Sequence, residues 1–263
     1  MNFQTIELVV EDGLAELILN DAEAGNPMGE VFCREFGQAA NELAKRKDVR
    51  AILLRAEGRF FSVGGDVTMF ARDLDAASAV VRDGTFGLHM GLTRLVRMDA
   101  PIVGCAHASA AGGAVALLAN CDLVYAARSA RFTAAYAQLG FTCDLGATVG
   151  LASRMGIARA RRFLLLGESL GAEEAVDVGL VDHVVDDGAE AVEQARAAAT
   201  ILAAGPTRAF GELRRLFAQS LATPLEAQLE NEAQSLARAA ATADAREGIS
   251  AFTGRRQPHF TGR

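Results

Sequence analysis

Apolar and polar residues alternate with a period of two over residues 4–10 and 14–20, and the two runs flank Glu11-Asp12-Gly13. That spacing predicts a hairpin closed by a tight turn. From Met28 to Lys47 the period changes: Met28, Val31, Phe32, Phe36, Ala40 and Leu43 recur at helical intervals, which predicts a helix with one buried face. Residues 50–55 enclose Ala51-Ile52-Leu53-Leu54, an apolar run that reads as a buried strand. A largely helical stretch follows over 76–98, although it holds Gly84, Gly87 and Gly91, each of which costs a helix about 1 kcal/mol relative to alanine. Strands are predicted over 101–106 and 122–127, with a shorter one over 130–133, and a short buried helix over 112–120. Residues 140–144 read as a loop entering a helix near Gly146. Beyond residue 156 the pattern is mostly helical: 172–179, 189–204, 207–221 and 225–241, with one strand over 181–185. Pro206 and Pro224 fall at helix starts, where a missing N–H does no harm. Strand, glycine turn and helix recur in order, which is the pattern of an α/β protein.

Two of the glycine turns stand out. Phe60-Phe61-Ser62-Val63-Gly64-Gly65-Asp66 and Ala110-Ala111-Gly112-Gly113-Ala114 each follow an apolar run. Where a strand ends in glycine and a helix begins, backbone N–H groups are unpaired and nothing bulky shields them. Two such ends converging would cradle one negative oxygen, as in the oxyanion of a carbonyl or thioester, where a single donor is typically worth about 3 kcal/mol of barrier. The plainer reading is that both are ordinary turns between a strand and a helix.

Composition narrows the field of partners. The chain has 263 residues, 51% of them hydrophobic, enough for a substantial core, and no linker rich in Pro, Gly or Ser. Residues 1–200 read as that core and 201–263 as a helical tail packed on it or on another subunit. A net charge of −7 argues against nucleic acid or an anionic membrane as the main partner. The most apolar stretch, Ala110 to Ala119, is too short to span a bilayer, for which about 20 residues are needed. The N-terminus lacks the basic region and cleavage site of a signal peptide, so a cytoplasmic protein is expected. Cys33, Cys105, Cys121 and Cys143 lack C-x-x-C spacing and read as reduced thiols. His89, His107, His183 and His259 are scattered, so no metal is expected. The absence of G-x-G-x-x-G, Walker A and G-x-S-x-G motifs weakens dinucleotide, NTP and serine-hydrolase readings.

Several segments carry a resemblance when taken together. They are Phe61-Ser62-Val63-Gly64-Gly65-Asp66, then Pro101-Ile102-Val103 through Gly112-Gly113 to Cys121-Asp122, then Gly171-Ala172-Glu173-Glu174-Ala175 with Gly179-Leu180-Val181. The tail Glu247-Gly248-Ile249-Ser250-Ala251-Phe252, continuing to Pro258-His259-Phe260, completes the set. In this order and spacing the chain resembles the crotonase (enoyl-CoA hydratase/isomerase) superfamily over nearly its whole length. The resemblance implies a spiral of β-β-α units with a C-terminal helical trimerisation region, a homotrimer or hexamer, an acyl-CoA thioester as substrate, and neither metal nor redox cofactor. It makes the N–H groups of Gly65 and Gly113 the two oxyanion donors. It assigns Ala24, Pro27, Val63, Asp66 and Val67 to holding CoA, and Phe252 and Arg255 to reaching a CoA, often a neighbouring subunit's. Leu88 and Tyr136 would line the acyl pocket, while Asn26 fixes a turn.

Departures from the resemblance bear on the chemistry. Where hydratases carry two glutamates, this chain has Ala116 and Tyr136. Hydration needs one group to activate water and another to manage the proton on carbon, and neither alanine nor a phenol of pKa about 10 does so readily at neutral pH. Asp144, in Gly140-Phe141-Thr142-Cys143-Asp144-Leu145-Gly146, occupies a position where some members carry a catalytic carboxylate. The stretch 140–148 and the tail are most similar to the epoxyphenylacetyl-CoA isomerase branch, in which an aspartate here does proton work. His89 with Asp144 also resembles the 4-chlorobenzoyl-CoA dehalogenase pattern of a nucleophilic aspartate and a water-activating histidine, although this chain has no tryptophan. An aspartate just before a helix is also a favoured N-cap. Three functions stand open on sequence: an enolate-forming isomerase with Asp144 as acid/base, a hydrolase with Asp144 as nucleophile and His89 activating water, and an acyl-CoA binder without turnover.

Overall fold

The computed structural model describes residues 2–263. Ile6–Glu11 (β1) and Leu14–Leu19 (β2) pair antiparallel, with Glu11 opposite Leu14. Asp12 and Gly13 between them both have positive φ, 48° and 84°, as a two-residue hairpin turn whose twist matches its strands requires. The chain then makes four similar circuits. After β2 come Pro27–Met28 (β3) and Glu30–Lys45 (α1); next Ala51–Ala56 (β4), Gly64–Gly65 (β5), Val67–Ala71 (α2) and Ala77–Arg97 (α3). The third circuit is Ile102–Ala106 (β6), Ala110–Ala111 (β7) and Gly113–Ala119 (α4). The fourth is Leu123–Ala127 (β8), Arg131–Thr133 (β9), a 3₁₀ turn over Ala137–Leu139 and Ala147–Met155 (α5). Ile157–Leu166 (α6), Ser169–Gly171 (β10), Ala172–Asp177 (α7), His183–Val185 (β11), Gly188–Ala203 (α8), Thr207–Ser220 (α9), Leu225–Ala240 (α10) and Ala243–Thr253 (α11) complete it.

Each circuit gives its first strand to a six-stranded sheet of order β1-β2-β4-β6-β8-β11, parallel except for β1. The second strands form two small sheets, β3-β5 and β10-β9-β7. This is the expected spiral of β-β-α units. The predicted long elements all form, trimmed by a few residues at their ends. The short strands β3, β5, β7 and β10 and the helix α2 were not foreseen, because two to five residues are too few to display a period.

Helices cover both faces of the large sheet. On one, Leu53, Val103, Cys105, Ala127 and Val185 meet Ala191, Ala195 and Ala199 of α8, a stripe of small residues at four-residue spacing. On the other, Phe32, Phe36, Ala39, Ala40 and Leu43 of α1 pack with α3 and α4 in the main core. The glycines that weaken α3 allow this approach: a Cβ on Gly87 would lie 2.3 Å from the Cys33 carbonyl oxygen. The tail returns to the body of the molecule. Asp244 accepts hydrogen bonds from the N–H groups of Thr261 (2.7 Å) and Gly262 (2.8 Å), and Arg50 donates to the Phe260 carbonyl at 3.1 Å. Leu213 and Phe217 on α9, Leu221 just beyond it, and Leu225, Leu229 and Leu236 on α10 remain exposed. Among the described residues no helix is long and apolar enough to cross a membrane, and no group of three His, Cys, Asp or Glu side chains could hold a metal ion.

Candidate active site

The two glycine turns meet. Ser62 and Ala110 form a parallel bridge, Phe61 N–H donates to the Ser109 carbonyl at 3.0 Å, and Ala111 N–H donates to the Ser62 carbonyl at 3.0 Å. Gly64 has φ 86°, and a Cβ there would lie 2.6 Å from the Ala111 oxygen, so only glycine fits the junction. Asn26 and Ser62 build the first turn from beneath. Asn26 Nδ2 donates to the carbonyls of Glu57, Phe60 and Phe61 at 2.8, 3.1 and 3.2 Å. Ser62 Oγ donates to the Asn26 carbonyl at 2.6 Å and accepts Gly64 N–H at 3.0 Å. Asn26 therefore fixes a turn, as expected. In the second turn Gly112 N–H is taken by the Thr133 carbonyl at 2.9 Å, and Gly113 opens α4, where an N–H has no intrahelical acceptor. Asp66 N–H points to the Met28 carbonyl across the β3-β5 pair, so strand alternation turns the Gly65 N–H away from β3.

Both turns border a cavity of about 430 Å³. Its apolar wall includes Met28, Val67, Met69, Phe70, Leu88 and Phe141. Phe70 and Phe141 stack edge to face, centroids 5.1 Å apart and planes at 86°, and so tie α2 to the loop before α5. Cys33 also faces the cavity; burial first, and the nearby Asp144 charge second, push its thiol up to about 12, which leaves it protonated at neutral pH. A larger groove of about 690 Å³ between α1 and α3 shares the Cys33, Met69, Val80 and Gly84 wall but includes neither glycine turn.

Asp144 lies on the same wall. Its side chain does not cap a helix: Gly146 is the N-cap of α5, with φ 66° and no side-chain bond, so the cap reading of Asp144 is corrected. The carboxylate instead accepts a hydrogen bond at Oδ1 from Tyr136 Oη, 2.8 Å away. Burial, followed by the Asp144 charge, raises the Tyr136 phenol above its ordinary value, so it stays protonated and donates. A Cβ on Gly113 would lie 3.5 Å from Asp144 Oδ1, which places the carboxylate against the second glycine turn. His89 Nε2 accepts the Leu145 N–H at 3.1 Å, so its ring proton sits on Nδ1.

The structure brings together Val63, Gly65, Val67, Leu88, His89, Gly113, Tyr136 and Asp144 on one cavity. Ala24, Pro27, Asp66, Phe252 and Arg255 are not on its wall. Asp66 caps α2 by accepting Thr68 N–H at 3.0 Å, Pro27 begins β3, and Ala24 is exposed. Phe252, 85% exposed, ends on the surface of α11, and Arg255 follows it with φ 52°. The Tyr136–Asp144 contact and the Phe70–Phe141 pair escaped sequence reasoning. An aromatic eight residues from an acid carries no periodic signal, and Phe70 sits in a helix too short to show one.

A family model described as enoyl-CoA hydratase/isomerase matches residues 10–263. The chain belongs to that family. Among similar proteins, one from Rhodobacter capsulatus named probable enoyl-CoA hydratase is 35% identical over all of both chains. The 1,2-epoxyphenylacetyl-CoA isomerase of Escherichia coli is 32% identical over 97% of each. The crystal structure of an enoyl-CoA hydratase from Polaromonas sp. JS666 superposes with a TM-score of 0.90, at 27% identity, covering 97% of this chain and 99% of that one. The protein is thus an enzyme of the enoyl-CoA hydratase/isomerase family with the crotonase fold and a helical C-terminal region. Ala116 is buried in α4 and brings no polar group to the cavity.

Proposed function

We propose that this enzyme isomerises an acyl-CoA thioester through an enolate, with the N–H groups of Gly65 and Gly113 holding the thioester oxygen and Asp144 moving the proton. The observation that carries the reading is the Asp144 carboxylate standing against the Gly113 turn on an apolar cavity bordered by both glycine turns. Asp144 takes a proton from the carbon beside the carbonyl; the electron pair of that C–H bond becomes a carbon–carbon double bond while the carbonyl π pair moves onto the thioester oxygen, where two N–H donors stabilise it. Where the acyl group carries a double bond between the second and third carbons from the carbonyl, the enolate extends over it. Returning the proton to the far carbon then moves the double bond into conjugation with the thioester, with no net gain or loss of electrons and so no call for a redox cofactor. On a saturated acyl group the same step only exchanges the proton. Tyr136 holds one carboxylate oxygen and leaves the other for the substrate. The apolar wall suits an alkyl or aryl acyl group.

Hydrolysis by an Asp144 nucleophile is less well supported, because the His89 nitrogen that would activate water already accepts a backbone N–H. The exposed leucines of α9 and α10 suit contact with further copies of the chain, as a homotrimer or hexamer, with Phe252 and Arg255 then able to reach a neighbour's CoA. Val63 and Val67, exposed at the cavity edge, would touch the pantetheine arm, with Ala24, Pro27 and Asp66 further along the CoA. Four free cysteines accord with a reducing cytoplasm. The test is incubation with phenylacetyl-CoA, octanoyl-CoA and trans-2-decenoyl-CoA in deuterated water, read by mass spectrometry. Wild type should incorporate deuterium into the acyl group, and Asp144→Asn should not. Equal incorporation by the two would refute Asp144 as the base.

A further inference from the structure

We infer that His89 and Asn120 are positioning residues that fix Asp144 by gripping both peptide groups of the residue after it. The inference rests on Asp144 as base and adds two side chains to that reading. Leu145 has φ 46° although it bears a side chain, a left-handed conformation that is strained for an L-residue. Such a backbone persists only where its surroundings over-determine it. Here they do: the Leu145 N–H donates to His89 Nε2 at 3.1 Å, and its carbonyl accepts from Asn120 Nδ2 at 3.0 Å. The Leu145 side chain is fully buried, with Cδ1 3.3 Å from where a Gly113 Cβ would stand.

The grip is anchored on both sides. Asn120 is held by donating also to the Ala116 carbonyl at 2.8 Å, and a Cβ on Gly150 would come within 2.8 Å of its Nδ2, so α5 leaves it no room to turn away. His89 comes from α3, and Asn120 follows the last residue of α4, the helix that begins at Gly113. One short rigid element therefore carries an oxyanion donor and an anchor of the base. With Leu145 N–H as donor, His89 must be unprotonated at Nε2, and the lone pair that could pull a proton from water is occupied by backbone.

Four variants separate positioning from chemistry: His89→Leu, His89→Gln, Asn120→Leu and Asp144→Asn. Glutamine places an amide oxygen near the position of Nε2, so it can accept the Leu145 N–H but cannot act as a base. Deuterium incorporation into the three CoA esters gives kcat and KM, and amide exchange of the 140–150 segment reads the grip itself. His89→Leu and Asn120→Leu should lower kcat about 10- to 100-fold, as a misplacement of the order of 1 Å does, with KM changed less than about threefold. Both should also speed amide exchange of the segment. His89→Gln should keep kcat within about fivefold and keep the segment protected. A folded His89→Gln as inactive as His89→Leu, with the segment still protected, would overturn the inference, and so would wild-type kcat in both leucine variants. If the leucine variants do not fold, the glutamine variant decides alone. Full activity in Asp144→Asn would instead remove the base assignment, and amide exchange would then decide separately whether the grip exists.

Discussion

Replacing Gly64 with alanine tests whether the two glycine turns must touch. Its φ of 86° would strain any L-residue, at about 1–2 kcal/mol. The new methyl would also lie 2.6 Å from the Ala111 oxygen, where ordinary contact begins at 3.4 Å. That oxygen belongs to the backbone and can yield only by pushing the second turn away, with Gly113 behind it. Losing alignment of one oxyanion donor is worth about 3 kcal/mol, or roughly 100-fold in kcat. Gly65→Ala is the control, since its Cβ meets nothing within 4 Å and it keeps its N–H. It should change stability by less than about 0.5 kcal/mol, as a substitution into open space does. Urea midpoints and deuterium incorporation measure the two consequences. Wild-type kcat in Gly64→Ala, or equal destabilisation by both substitutions, would refute the reasoning.

Two further outcomes follow from single contacts. Tyr136→Phe removes the donor to Asp144 Oδ1; hydrogen bonds to charged groups are worth about 1.5–3 kcal/mol, so kcat should fall about 10- to 100-fold with KM little changed, and an unchanged kcat would remove Tyr136 from the mechanism. Glu35, buried beneath the first strand, accepts from Gln4 N–H (2.8 Å), Thr5 N–H (2.9 Å) and Thr5 Oγ1 (2.7 Å). Burial alone would raise its carboxyl, but these bonds outweigh it and hold it below the ordinary 4.5. Its contribution is therefore complete above that value and is lost as pH falls through the lower folded-state value. Glu35→Gln should lower stability at pH 7 by about 1–3 kcal/mol and flatten this acid dependence. Parallel stability-against-pH curves for the two proteins would contradict it.

Much of the molecule was legible in the sequence. The hairpin, α1, the long strands and the helical tail each announced themselves through a period that depends on which face of one element is buried. The glycine turns were legible as well, because glycine at a strand end has few other uses. The strands β3, β5 and β7 were not, since a strand of two residues exists only because a partner presents its edge.

Local patterning along the chain therefore determined the α/β class, the long elements and the two turns that border the cavity. Only the tertiary structure decided what faces what: Tyr136 on Asp144, and Leu145 between His89 and Asn120. The physical reason is range. A period reports the environment of neighbouring residues, whereas His89 meets Leu145 across 56 positions, and a hydrogen bond at that separation leaves no mark on either local sequence.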